Sequence, residues 1–401
     1  MGFKGFDKVS DLGYQQSIFT CKKCDNQCDV TKIKTEDMNM FYGDRCEIYS
    51  GENFGASSLS IKNPFEIREE ILMSYKSQEK SGSVSLGIPR VGLFYDMFPL
   101  WSGFLDSLGL NVVVSDKTNK KIISEGLEKT TSDFCFPFKV ASGHFSNLEG
   151  KVDFIFSPDI TESYRSRYSE NGVEKETNWD RSRTCPYLQN LGPISAKNSS
   201  KTPLINPVFS LRNKDSLIVL GLHKSFKDAG FKFTKRDIKQ AYGIGKKNYL
   251  EFKSRVKNKG NDLLQEFNDK DRGIVIIGRP YSAFDDEMNL RLAGKILKYG
   301  FLPIPMDFLP LPKQDLSAKW INEFSAQGQL ILNSANVIKE LGLNSIVLDY
   351  FGCGPNSFIK HFFSREVGKP FLTLQIDEHT ASAGLVTRLE AFLDSIEGGL
   401  K

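Results

Sequence analysis

No run of about 18 apolar residues occurs anywhere in the 401-residue chain, so nothing in it is expected to span a membrane as a helix. Residues 1–20 hold no long apolar stretch either, and no secretory signal is expected there. Charge of one sign is not in excess. Lys and Arg number 53 against 49 Asp and Glu, for a formal net charge of +4. That weak imbalance does not argue for a nucleic-acid partner, although it would suit an anionic substrate such as a phosphate or a thioester of coenzyme A. A phosphate-cradling G-x-x-x-x-G-K-[ST] loop is missing, as is an Asp-x-Gly phosphate loop at a strand end. Hydrolysis of ATP by this chain is therefore not expected.

What is present is a globular composition, with 40% apolar and 25% charged residues and 31 phenylalanines to fill cores. The length suggests two or three domains. Seven cysteines without a secretory signal argue against a disulfide framework and for thiols kept in a reducing cytoplasm.

The second half of the chain repeats the first. VSLGIPR at 84–90 corresponds to IVIIGRPY at 274–281, each a short apolar run ending in a Gly/Pro/Arg turn. Gly87 to Gly109 is 22 residues and Gly109 to Asp116 is 7; Gly278 to Gly300 and Gly300 to Asp307 repeat both intervals. A helical pattern fills each interval, over about 95–108 (Phe98, Trp101, Leu105, Leu108) and about 286–299 (Leu290, Ala293, Ile296, Leu297). Gly109 and Gly300 suit the left-handed position that ends a helix. VDFIF at 152–156 then matches SIVLDY at 345–350, and TPLIN at 202–206 matches KPFLT at 369–373. Continuous apolar strands alternating with helices predict parallel sheets covered on both faces.

The expected fold is thus α/β, with two similar lobes built on short parallel four-stranded sheets covered by helices. The lobes span 82–210 and 271–401, behind a Cys-rich segment at 1–60. Residues 50–82 read as a connector with a short helix near 65–76. A Lys-rich helical connector at 211–270 carries an apolar face of Ile238, Tyr242, Tyr249, Phe252 and Val256. Gly243 and Gly245 are expected to break it into two helices, with its lysines on a solvated face.

Four of the cysteines, Cys21, Cys24, Cys28 and Cys46, form C-x2-C-x3-C-x17-C. Four thiols in 26 residues point to metal, and on spacing alone zinc and a 4Fe–4S cluster fit equally. The other three are dispersed. Cys135 lies in SDFCFPFK, Cys185 in RTCPYL and Cys353 in FGCGP, directly after an expected strand. Chemistry in open α/β sheets collects beyond the carboxyl ends of the strands. All three cysteines are expected in strand-to-helix loops on that edge, where they could share one metal site in the cleft between the lobes. Each taken singly also fits a buried, inert thiol.

Several segments together resemble the 2-hydroxyacyl-CoA dehydratase activase-related proteins, larger relatives of the dehydratase subunits. They are C-x2-C-x-N-x-C with a following GDRC, LGIPR, SDFCFPFK, VDFIFSP, IIGRPY, YFGCGPNSF and LQIDEHTASAGLVTRLEAFLDS. The likeness runs from about residue 20 to residue 397. It implies an oxygen-sensitive iron–sulfur protein that takes a low-potential electron from a separate ATP-hydrolysing activator. It further implies that Cys135, Cys185 and Cys353 hold a catalytic 4Fe–4S cluster with one iron open to a substrate carbonyl. Cys21, Cys24, Cys28 and Cys46 would then hold a second cluster, or zinc. The dehydratase subunits lack that second site, so a different substrate, a relay function or a double-cubane reductase remain open alternatives. By the same analogy the partners are the activator, a dehydratase-like second subunit or a second copy of the chain, and an acyl-CoA substrate.

Three further residues are candidates for such chemistry. Arg90 and Arg279 follow the first strands of the two lobes and are expected to face one cleft, where they could bind a carboxylate or stabilise a ketyl anion; a turn-anchoring hydrogen bond is the plainer reading. His379, in IDEHTA after the last strand, is a candidate proton donor. His144 and His361 are expected to pack or cap.

Overall fold

Short runs of buried strand organise the chain. A computed structural model describes residues 13–23, 27–35, 39–44, 48–49, 61–164, 167–170, 173–176, 182–380 and 382–399. The amino-terminal part is a three-stranded antiparallel sheet of β1 (Gln15–Thr20), β2 (Asp29–Lys34) and β3 (Asn39–Tyr42). Helix α1 (Pro64–Met73) follows, capped by the Asn63 side chain, which accepts from the amide of Phe65.

The first lobe runs β4 (Ser85–Ile88), α2 (Phe94–Ser107), β5 (Asn111–Val114), α3 (Lys120–Lys129), α4 (Phe136–Leu148), β6 (Phe154–Phe156), α5 (Leu191–Ser199) and β10 (Leu204–Ile205). Between β6 and α5 lies an excursion containing β7 (Asp159–Glu162), β8 (Arg167–Glu170) and β9 (Val173–Glu176). Strand β11 (Val208–Ser210) returns to pair with β7. The second lobe runs β12 (Gly273–Ile277), α8 (Pro280–Ala283), α9 (Leu292–Lys298), β13 (Leu302–Pro305), α10 (Ala326–Leu341), β14 (Asn344–Tyr350), α11 (Gly354–Val367), β15 (Leu372–Ile376) and α12 (Ser382–Gly399).

The repeat extends to topology. The sheets are ordered β10-β6-β4-β5 and β13-β12-β14-β15, and every pairing in both is parallel. In each, the first strand of the copy lies between the second and the third, and the fourth lies outside the third. All residues of β12 and β14 are buried, in keeping with their continuous apolar runs Ile274–Ile277 and Ile346–Leu348. Gly109 and Gly300 end α2 and α9 with φ of 78° and 77°, the left-handed geometry their positions require.

Two local expectations are corrected. The second-copy helix covers only Leu292–Lys298, not 286–299, because Leu290 and Arg291 both take left-handed φ of 56° and delay its start. The connector does not break at Gly243 and Gly245. Helix α6 (Asp215–Asp228) is followed by one continuous 32-residue helix, α7 (Lys235–Glu266), which starts on a Thr234–Asp237 capping box. Gly245 serves close packing instead: a Cβ there would collide with the Leu100 carbonyl oxygen and lie 3.2 Å from Phe104 Cβ. Gly260, further along α7, meets Phe308 in the same way.

The expected apolar face of α7 is the buried one. It joins Phe98, Trp101 and Phe104 of α2 to Phe308, Ile331 and Leu332 of the second lobe in one core. Arg68 of α1 pins that junction. Its Nε donates to Asp307 and its Nη2 to the Tyr95 carbonyl, both at 2.8 Å, while its guanidinium stacks 3.6 Å over the Phe284 ring.

Candidate functional site

Three segments that are remote in sequence meet where the lobes face each other. Cys135 is the residue before α4 and Cys353 the residue before α11. Cys185 precedes a turn leading into α5, and its carbonyl accepts from the amide of Gln189 at 3.2 Å. Each thiol therefore stands at the amino-terminal approach to a helix, where free amides and the helix dipole favour negative charge. Cys135 departs from expectation in one respect. It comes from a turn between two helices, α3 and α4, because β5 leads first into the amphipathic α3 rather than directly into the cysteine loop.

Neighbouring side chains hold the three segments together. Phe134 packs edge-on against Tyr187 with ring centroids 5.1 Å apart, joining the Cys135 and Cys185 loops. Phe136 packs 6.1 Å from Tyr350 at the end of β14, and a Cβ on Gly352 would sit 3.9 Å from Cys135 Cα. The Arg183 amide donates to the Phe324 carbonyl at 3.1 Å, which fastens the Cys185 segment to the second lobe. Aromatic pairs of this kind contribute about 0.5–1.5 kcal/mol each beyond area burial.

The electrostatics centre on Arg279. It is buried at 2% exposure, its Nε donates to Asn356 Oδ1 at 2.9 Å, and it feels the Cys353 and Cys185 thiols. Burial pushes the Cys135 thiol up to about 12, against the pull of the Phe138 amide and Arg279. Burial also raises Cys353, opposed by Arg279 and the Asn356 amide. Cys135 feels Cys353 and Cys185, Cys353 feels Cys185, and Tyr281 feels all three. Among the described residues no three His, Cys, Asp or Glu side chains close on a single metal ion. A lone zinc would draw thiolates to about 3.8 Å from one another, from Zn–S bonds of about 2.3 Å in a tetrahedron. An iron–sulfur cubane is larger and holds its thiolates farther apart. The three half-buried thiols and the buried guanidinium are the donor set and the counter-charge that an anionic cluster would require.

At the amino terminus Cys21 and Cys28 flank the β1–β2 turn. Both are buried, the Cys21 amide donates to the Cys28 carbonyl at 2.7 Å, and the Lys23 amide lies 3.4 Å from Cys21 Sγ. Such N–H···S contacts accompany thiolate metal sites. Cys24 and Cys46 lie outside the described residues.

Residues 85–309 match the model for the CoA enzyme activase uncharacterised domain (DUF2229), more than half of the chain. The chain belongs to that family. No curated protein and no solved structure matches it. The match takes in Cys135, Cys185, Arg90 and Arg279 and stops short of Cys353. No helix among the described residues is long and apolar enough to cross a membrane.

The remaining candidates in this activase-family chain are placed elsewhere. Arg90 pairs with Glu69 of α1 and feels Tyr95 and Asp285, whereas Arg279 sits among the thiols, so the two arginines serve different surroundings. His379 is exposed, and its amide donates to Asp377 at 2.9 Å. It lines a surface hollow with Asp133 and Lys139, beyond the Cys135 turn. His361 is exposed, and His144 is buried between Ser115 and Thr118.

Sequence reasoning missed a cavity of about 450 Å³ between α1 and the two lobes, lined by Glu69, Arg90, Tyr95, Thr118, Asp285 and Asp286 among others. Its floor is a directed hydrogen-bond chain. The Arg90 amide donates to Ser115 Oγ and that hydroxyl to His144 Nδ1; His144 Nε2–H donates to Thr118 Oγ1, and the Thr118 hydroxyl to Asp285. This order fixes His144 as the neutral Nε2–H tautomer. Burial pushes His144 down to about 3, in agreement. Asp285 also accepts from Tyr95 Oη at 2.6 Å and from the amides of Glu287 and Met288. Burial raises its pKa, and these donors work against that rise. The signal available in the sequence was the Asp285-Asp286-Glu287 run directly after an apolar turn.

Proposed function

We propose that this chain is an iron–sulfur protein of the 2-hydroxyacyl-CoA dehydratase-like group, in which Cys135, Cys185 and Cys353 together hold a 4Fe–4S cluster. The observation that carries the reading is the meeting of three thiols from three separate loops, all at helix starts, around the buried Arg279. A cluster held by three thiolates keeps one iron free, which supplies Lewis-acid and one-electron reducing capacity.

The protein's own contribution follows from its residues. Arg279 offsets the negative charge of the thiolates and is itself steered by Asn356. The amides of Phe138 and Asn356 favour the thiolate forms of Cys135 and Cys353 against the effect of burial. Tyr281, Tyr350 and Phe136 exclude water from one side of the site. Cys21, Cys24, Cys28 and Cys46 hold a second metal centre, a 4Fe–4S relay or zinc. Electrons come from a separate ATP-hydrolysing activator, as the family likeness implies; the G-x-x-x-x-G-K-[ST] motif does not occur in this sequence. The substrate is a small acyl thioester, in keeping with the mild positive charge.

Iron, acid-labile sulfide and zinc measured on protein purified without oxygen test the reading. With both centres loaded with iron, Cys353→Ala lowers iron from about eight to about four atoms per chain; with zinc at the amino terminus, it lowers iron from about four to none. Unchanged iron in that variant, or zinc with no iron in the parent, overturns the proposal.

A further inference from the structure

The thiol crevice holds more hydrogen-bond donors than the protein uses. Arg279 is 2% exposed, yet among the described residues its one hydrogen bond runs from Nε to Asn356 Oδ1. Its terminal nitrogens, Nη1 and Nη2, have no acceptor among those residues, and neither nitrogen is fully enclosed. Two buried carboxyls nearby are engaged elsewhere. Glu323 Oε1 accepts from the Ser325 amide at 2.7 Å and Asp349 Oδ1 from the Tyr350 amide at 2.9 Å. Both feel Arg279 through space without pairing with it.

Tyr281, two residues on, presents a further donor. It is 9% exposed, and its hydroxyl has no partner among the described residues and keeps some surface. The side chain feels Arg279 and all three thiols, which places it in the same crevice. A guanidinium taken out of water without an acidic partner is costly, so the position calls for an anion. Thiolates offset its charge without filling its hydrogen bonds, because sulfur is a weak acceptor. Oxygen is a strong one, and the fork of Nη1 and Nη2 matches the two oxygens of a planar anion. The starts of α4 and α11, at Cys135 and Cys353, add positive potential. One guanidinium beside three thiols supports a monoanion and not a phosphate dianion.

We infer that Arg279 and Tyr281 form a carboxylate-binding subsite in the thiol crevice. Nη1 and Nη2 take the two oxygens, and Tyr281 Oη donates to one of them. The inference rests on the reading above in taking this crevice as the substrate site, while its donors belong to the chain and need no cluster.

The test uses the full chain purified without oxygen and calorimetric titration with formate, acetate and butyrate, set against chloride and sulfate. At least one carboxylate should bind saturably with a Kd below about 10 mM, and about tenfold or more tighter than either inorganic anion. Arg279→Gln should weaken that binding about tenfold or more, and Arg279→Lys, which keeps the charge but not the fork, should recover only part of it. Tyr281→Phe removes one hydroxyl and leaves the ring. It should weaken binding by about fivefold and leave the urea midpoint unchanged, whereas a purely structural hydroxyl would shift the midpoint and spare binding. This variant decides alone if Arg279→Gln does not fold. Iron measured on the same samples separates the two readings. Carboxylate binding without iron supports the subsite while the cluster fails, and iron without carboxylate binding overturns the subsite alone. The inference is also overturned if sulfate binds as tightly as every carboxylate, or if Tyr281→Phe binds as its parent does.

Discussion

Replacing Gly243 and Gly245 by alanine, one at a time, should change stability in opposite directions although the residues are two apart on one helix. Gly243 is exposed in mid-helix and a Cβ there meets nothing within 4 Å. The substitution restores helix propensity and should stabilise by about 0.5–1 kcal/mol. Gly245 faces α2, where its Cβ would collide with the Leu100 carbonyl oxygen, with Leu100 C and Phe104 Cβ at 3.2 Å. A backbone oxygen cannot rotate away as a side chain can, and Gly103 on the facing helix marks the same close approach. Overpacking typically costs about 1–3 kcal/mol, which outweighs the propensity gain. Gly245→Ala should therefore destabilise by about 2 kcal/mol, a gap of about 3 kcal/mol between the variants. Urea unfolding followed by tryptophan fluorescence suits the test, because Trp101 is buried on α2. Midpoints that shift in the same direction would refute the close approach of α2 and α7.

Two further outcomes follow from buried charge. Arg68→Ala should cost about 3–5 kcal/mol by stranding Asp307 and the Tyr95 carbonyl, and a loss below about 1 kcal/mol in urea unfolding would show that the clamp is unimportant. His144 is held neutral in the fold, with its pKa lowered from 6.5 to about 3, so the unfolded chain binds the extra proton between those values. Its contribution is present above pH 6.5 and is lost as pH falls, by up to about 1.4 kcal/mol per unit. His144→Gln should flatten the pH dependence of stability between pH 6.5 and 4, and an unchanged slope would contradict the buried neutral imidazole.

Much of the architecture could be read from spacing. The 22- and 7-residue intervals located both lobes because helix and strand lengths are fixed by the layers they span, and Gly109 and Gly300 marked the turns that only glycine enters at no steric cost. The excursion containing β7, β8 and β9 was not legible, since its strands are short and polar. Gly245 misled because a helix-breaking residue and a helix-packing residue look alike until the facing helix is known. The cavity was invisible for a different reason: Glu69, Arg90, Thr118 and Asp285 are brought together only by the docking of the two lobes. Among the cysteines, the C-x2-C spacing was a local signal from which a metal site is expected. The other three carried no mutual spacing signal, and only their neighbouring Gly and Pro residues, with the position of Cys353 just after a strand, hinted at a shared location.

The central claim is that Cys135, Cys185 and Cys353 act as one unit, and iron stoichiometry across a variant series tests it most directly. Each single Ala substitution and the triple substitution should lose the same amount, about four iron atoms and four sulfides per chain, because a shared cluster is lost whole. Losses that differ among the three positions, or that accumulate from single to triple variant, would contradict a shared cluster.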